Sequence, residues 1–219
     1  MSTPIVPFSN TPCTFGVLIY PDTDIADFSG PHVVFSSVRL NEEQRRETES
    51  PIRQLLISNS LEPVRTSGGI RLLPDVDLDS CPRLDFLLVP GGDGARSLIH
   101  QSEYLDFLKR VVPGLERLIA VKFGTLIVAA AGLLVGKSAT THFHAVDIFR
   151  ERFPRTSLFP ELPIVMDGNI ITANCVSASM DVAFYLVANL YGPEVAREAA
   201  RQMEYPYPEQ LNLRARNLK

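Results

Sequence analysis

Short continuous apolar runs recur along the chain: "TFGVLIYP", "IRQLLIS", "LDFLLVPGG" and "RLIAVK". Runs of this length, rich in β-branched residues and bounded by Gly, Pro or polar clusters, predict strands buried on both faces. Between them lie stretches with helical spacing. "SEYLDFLKRVV" sets Tyr104, Leu105, Leu108, Val111 and Val112 along one stripe. "SGPHVVFSSVRL" predicts a helix with Ser29 as N-cap and Pro31 in its first turn. "GTLIVAAAGLL", "SMDVAFYLVANLYG" and "PEVAREAARQMEY" predict three more. "NEEQRRETESP" is a charged surface loop, and "KSATTHF" a short strand. "EPVRTSGGIRLLPDV" reads as strand, Gly-Gly turn, strand, and "ELPIVMDGNIITAN" as a hairpin turning at Asp-Gly.

This alternation predicts an α/β fold: an open, mostly parallel sheet of flavodoxin-like type, flanked by helices on both faces, with an added β-hairpin. One domain spans residues 14–205, after an irregular arm at 1–13. The tail, 206–219, is broken by proline, then basic, and is expected to pack loosely. Sites in such sheets lie beyond the carboxyl ends of the strands. Three of these ends carry chemistry: Asp27, the Gly91-Gly92 pair, and Lys122.

Composition narrows the function classes. The chain has 219 residues, 45% of them hydrophobic, which is ample for a core. Its formal charge is -4 with no Lys/Arg-rich run, so no nucleic-acid partner is expected. The longest apolar run, "LIVAAAGLLVG", falls short of the roughly 20 residues a membrane span needs, and the N-terminus lacks a signal-peptide pattern. Three cysteines without C-x-x-C spacing argue against disulfides or structural zinc and for a reducing cytoplasm. The "SGGIRL" glycines form a turn, with neither G-x-G-x-x-G nor Walker spacing, so no cofactor is expected.

The join at Lys122 raises the sharpest question. A strand turning sharply into a helix lifts one side chain above the sheet, beside the free N–H groups of the first helical turn. "VKFGT" puts Lys122 at that turn, with Gly124 where a close approach needs a small residue.

At these residues the chain resembles the ThiJ/PfpI superfamily, within the class I glutamine amidotransferase-like fold, and is similar within it to the isocyanide hydratases. The carriers are "YPDTDIADFSGPHVVF", "DFLLVPGGDGARSL", "AAAGLLVGKSATTHFHAVD", "VMDGNIITANCVSASMDVAFYL" and "RQMEYPYP". The family pattern at the turn resembles V-C-T-G, whereas this chain has Val121, Lys122, Phe123 and Gly124. Thiol chemistry therefore does not transfer unchanged. The resemblance implies that Asp27 faces the turn. It also implies that backbone N–H groups of Gly91 and Gly92 help form an anion-accepting pocket, that His142 stands near it, and that Cys175 borders it in place of a glycine. It further implies a homodimer, for which Val33 and Phe35 are candidate contacts.

Lys122 has two chemical roles to choose from. Desolvated near a helix N-terminus, its pKa would fall and the free amine could form a Schiff base. Paired with Asp27, it would stay protonated and act as an acid or oxyanion stabiliser, with Asp27 as general base. The unreactive alternative is that Lys122 only pairs with Asp27 or reaches to solvent. Asp22 and Asp24 are expected to face solvent. His142 and His144 would share a face if they lay on a strand, but a third metal ligand is missing unless Asp147 serves. Cys175 is either a pocket thiol or a small buried hydrophobe, and Phe123 an apolar wall whose backbone N–H, with that of Gly92, is a candidate to meet developing negative charge. The resulting expectation is a cofactor-free enzyme of lyase or hydratase type, acting on a small carbonyl-like metabolite of specialised metabolism. The alternative is a catalytically silent binder or sensor.

Overall fold

The computed structural model describes residues 13–209 and the backbone of 213–216. The expected arm at 1–12 and the remainder of the tail lie outside the described residues. In chain order the strands are β1 (Cys13–Leu18), β2 (Ile52–Ser58), β3 (Val64–Arg65), β4 (Arg71–Leu72), β5 (Val76–Asp77), β6 (Phe86–Val89), β7 (Arg117–Val121), β8 (Ser138–Ala139), β9 (Ser157–Leu158), β10 (Ile164–Asp167), β11 (Ile170–Ala173) and β12 (Leu213–Arg216). The α-helices are α1 (Ala26–Ser36), α2 (Ala95–Leu98), α3 (Ser102–Val111), α4 (Gly124–Ala130), α5 (Val146–Arg152), α6 (Val176–Tyr191) and α7 (Pro193–Gln202).

Eight strands form one sheet in the order β12-β10-β11-β7-β6-β1-β2-β5. Only the β10–β11 hairpin is antiparallel. Its two-residue loop is Gly168-Asn169, with Gly168 at φ +64°, the positive angle a tight hairpin requires. The apolar runs are continuous because both faces are covered. One core lies under α1, α6 and α7 around Phe15, Phe35, Val182 and Phe184, and the other under α2 to α5 around Leu18, Leu87, Phe107, Leu126 and Phe149.

Several expectations are corrected. The first helix starts at Ala26, not after Ser29, so Pro31 sits inside it. This early proline is tolerated in the second turn, where it leaves only the Asp27 carbonyl without a helical donor. Phe35 is buried in the core and unavailable to a partner, whereas Val33 is exposed. The apolar helix after Lys122 ends at Ala130 rather than Leu134. There Gly132, at φ +80°, closes it with N–H bonds from Gly132 to Ala129 O and from Leu133 to Val128 O. The strand in "KSATTHF" shrinks to Ser138–Ala139. Part of the tail is not loose: Leu213–Arg216 adds a strand parallel to β10. Among the described residues no helix is long and apolar enough to cross a membrane.

The sheet order places the site. The chain leaves β1 toward β2 on one side and then returns to place β6 on the other, so the strand order reverses between β1 and β6. A crevice opens beyond the carboxyl ends of strands at such a reversal. The ends of β1, β6 and β7 are adjacent there.

Candidate functional site

Lys122 leaves β7 with φ +52°, left-handed backbone that costs an L-residue roughly 1–2 kcal/mol. The surroundings hold it there. Its N–H donates to Ala173 O at 2.8 Å, and its carbonyl accepts from Thr141 Oγ1 at 2.8 Å. Gly124 lets α4 start directly against β6: a Cβ there would stand 2.2 Å from Val89 O and 2.7 Å from Pro90 O. The turn lifts the Lys122 ammonium toward two carboxylates. Its Nζ lies 3.0 Å from Asp27 Oδ1 and 2.5 Å from Asp24 Oδ2.

Asp27 sits in the first turn of α1 and is fully buried. Its Oδ2 accepts the Gly91 N–H at 2.8 Å, while Oδ1 has only the Lys122 ion pair, without a well-angled hydrogen bond. Gly91 must be glycine for this approach, because a Cβ would stand 2.8 Å from Asp27 Oδ2 and 3.1 Å from Lys122 Cβ. The Gly91 carbonyl is tied as firmly. It accepts from Asp24 N at 2.9 Å, from Tyr20 Oη at 3.0 Å and from Thr23 Oγ1 at 3.4 Å.

Electrostatics differ at the two ends of the pair. Burial pushes the Asp27 carboxyl up to about 6, against the opposing pull of Lys122 and the Gly91 N–H, and the Asp24 charge adds to the rise. Burial opposes the Lys122 ammonium, but the hydrogen bond to Asp24 and the charge of Asp27 outweigh it and raise its pKa above the ordinary lysine value. Of the two alternatives for Lys122, the direction of the shift matches the protonated one, because two carboxylates face the nitrogen.

The Asp27 shift has a measurable consequence. A carboxyl with a raised folded pKa binds its proton more readily in the native state, so its contribution to stability falls as pH rises from about 4 through about 6. Two units correspond to about 3 kcal/mol. Asp27→Asn removes this titration, and the stability difference, variant minus parent, should rise between pH 4 and pH 7 in urea melts. A flat difference would refute the assignment of that proton to Asp27.

The remaining candidates fall into place unevenly. The Gly91 N–H is donated to the Asp27 carboxylate and so is already occupied. The N–H groups of Gly92 and Phe123 have no hydrogen-bond partner among the described residues. Gly92, at φ +123°, packs against the loop before α1, where a Cβ would stand 2.2 Å from Asp22 O. Phe123 is a wall: His142 stacks on its ring with centroids 5.5 Å apart, and the Arg96 guanidinium sits 5.4 Å over it.

His142 and His144 lie on a 3-10 turn, not a strand. The His144 N–H donates to His142 Nδ1 at 3.3 Å, which puts the His142 proton on Nε2. Burial, the Lys122 charge and the His144 ring hold the His142 pKa below its ordinary value. The described residues contain no cluster of three metal-ligating side chains. Cys175 starts α6 with its thiol 3.3 Å from Ser177 Oγ and packs against the core under α1, α6 and α7.

Sequence reasoning missed Asp24, Tyr20 and Arg96. Asp22 is exposed as expected, but Asp24 is drawn in by Lys122. The signal for Asp24 was its D-x-x-D spacing with Asp27, which puts two carboxylates on one side of a helix start. For Tyr20 it was a phenol at the end of a buried strand, which needs a hydrogen-bond partner.

Comparisons with known proteins agree with the fold. Isonitrile hydratase of Pseudomonas putida is 31% identical over 191 residues, 87% of this chain and 77% of that protein. The HTH-type transcriptional regulator CdhR of Pseudomonas aeruginosa is 31% identical over 64% of this chain, a match that spans only 41% of the regulator. Among solved structures, a ThiJ/PfpI family protein from Pseudomonas syringae superposes with a TM-score of 0.77 at 30% identity, covering 90% of this chain and 77% of its own. Residues 17–189 match the DJ-1/PfpI family as a whole, and the chain belongs to that family.

Proposed function

We propose that the protein is a cofactor-free enzyme of lyase or hydratase type that acts on a small carbonyl compound, with Lys122 as proton donor and Asp27 as general base. One observation carries the reading: a buried carboxylate with a pKa near 6 lies 3.0 Å from an ammonium held cationic. A base of that pKa is ionised at neutral pH yet still strong enough to take a proton. In a hydration, Asp27 takes a proton from water as the water oxygen bonds to the carbonyl carbon. Lys122 gives a proton to the carbonyl oxygen, and the proton on Asp27 returns to Lys122 across the pair. The Gly92 and Phe123 N–H groups are donors available to the developing negative charge.

The raised Lys122 pKa favours the acid over the Schiff-base nucleophile, since a free amine would have to lose its proton while facing two carboxylates. Isonitrile hydratase, by name, acts on isonitriles; with the elbow thiol replaced by an amine, carbonyl chemistry fits this chain better. A sensor without turnover is the second reading, favoured by the likeness to a transcriptional regulator.

The test incubates the protein with a panel of small aldehydes, ketones and 2-oxo acids, follows them by NMR, and adds borohydride to a parallel set. Turnover that disappears in Lys122→Met and in Asp27→Asn, with no reduced adduct on Lys122, is the expected result. Turnover surviving in both variants overturns the residue assignments, and a trapped adduct overturns the acid role. Binding without turnover for every compound supports the sensor.

A further inference from the structure

The two carboxylates on Lys122 are not equivalent. Asp27 is fully buried and pinned by the Gly91 N–H; if it left Lys122, a buried charge would lose its counter-ion. Asp24 has a side chain 31% exposed. It could turn into water at small cost, because ion pairs of partly exposed groups contribute little. Its other oxygen, Oδ1, accepts the Ala26 N–H at 3.1 Å and so caps the start of α1. Its backbone N–H stays on Gly91 O. The backbone bond from Asp24 N–H to Gly91 O can therefore hold the loop while the carboxylate leaves Lys122 and gives up its bond to Ala26.

We propose that Asp24 is an exchangeable counter-ion that positions Lys122 in the empty site and yields it to the carboxylate of an anionic ligand. The inference rests on the reading of Lys122 as the substrate-facing cation and adds the ligand class: a small carboxylate, such as a 2-oxo acid. Charge bookkeeping favours this class. With Asp24, Lys122 and Asp27 ionised, the cluster carries one net negative charge; replacing Asp24 by a ligand carboxylate leaves that sum unchanged. The remaining groups at the crevice suit an anion as well. Among the described residues the Phe123 and Gly92 N–H groups have no hydrogen-bond partner, His142 Nδ1 accepts the His144 N–H and so leaves Nε2 to carry the proton, and the Arg96 guanidinium lies over the Phe123 ring.

The test measures binding to the whole chain by two-dimensional NMR, without reference to turnover. The probes are 2-oxobutyrate, the neutral ketone 2-butanone, and isopropylammonium. Asp24→Asn keeps an oxygen for the Ala26 N–H but removes the competing charge. It should tighten 2-oxobutyrate about fivefold, the equivalent of removing one partly exposed ion pair worth about 1 kcal/mol. The affinity for 2-butanone should stay within about twofold, an uncharged ligand gaining little from a lost charge. In Lys122→Met the 2-oxobutyrate shifts should vanish. Should Asp24→Asn fail to fold, Asp24→Ser retains a capping oxygen and serves instead.

An unchanged or weakened 2-oxobutyrate affinity in the Asp24 variant overturns the proposal. So does an equal gain for 2-butanone, or isopropylammonium binding that the variant abolishes. The outcome separates from that of the proposed function. Turnover without a carboxylate preference leaves the enzyme and removes the exchange, while tightened binding without turnover leaves the exchange and removes the enzyme.

Discussion

Lys122→Met is expected to destabilise the protein by about 3–5 kcal/mol at pH 8, and by much less at pH 5. Methionine matches the apolar stem and volume of lysine, so packing changes little. What changes is the partner of Asp27. Without the ammonium, the buried carboxylate has only the Gly91 N–H, and its pKa must climb above the value of about 6 it has beside Lys122. At pH 8 the variant must therefore either bury an uncompensated charge or take up a proton. At pH 5 Asp27 is mostly protonated even in the parent, so the ion pair contributes little there to lose. Urea melts of parent and variant at the two pH values give the comparison. An equal loss at both would mean that Lys122 contributes by packing or through Asp24 alone. Any turnover found for the parent should drop by about 10²–10⁴-fold, the usual contribution of a positioned acid.

Gly124→Ala should be nearly as damaging for a different reason. The added Cβ would stand 2.2 Å from Val89 O and 2.7 Å from Pro90 O. Both are backbone atoms of the β6 end, and no side-chain rotation relieves the overlap. α4 and β6 must separate, and the Lys122 turn moves with α4. The expected cost is about 3 kcal/mol or more, at the upper end for overpacked cores. Gly114→Ala is the matched control: nothing lies within 4 Å of the new methyl. It should change stability by less than about 1 kcal/mol, of either sign. Similar melting temperatures for the two variants would show that the strand-to-helix turn has slack that the geometry denies.

Much of the fold was legible because burial on both faces writes itself into the strands. Ile52–Ser58 coincides with the run "IRQLLIS", and the Asp-Gly signal marks the β10–β11 hairpin. Elements held mainly by backbone pairing left a weaker trace. Val76–Asp77 is two residues long, and "LRAR" in β12 alternates apolar and basic over only four residues, so neither stood out. At the site, each strand end announced one residue, but not which groups would pair. Asp24 looked like one more acid in a polar loop. Only the positive φ at Lys122, which aims its ammonium at the α1 start, gives Asp24 a role. The resemblance pointed to the Gly91 N–H as an anion donor, and it could not show that Asp27 had already taken it.

The main chain at the strand-to-helix turn is specified without help from its own side chain. Ala173 O, Thr141 Oγ1 and the bare Cα of Gly124 together impose the left-handed bend. The position behaves as a socket: the fold supplies its shape and direction, and the group placed in it supplies the reactivity. The same turn can thus present sulfur or nitrogen while the folding problem stays already solved. The adjustment such an exchange demands falls on the neighbouring acids, which must balance whatever charge arrives.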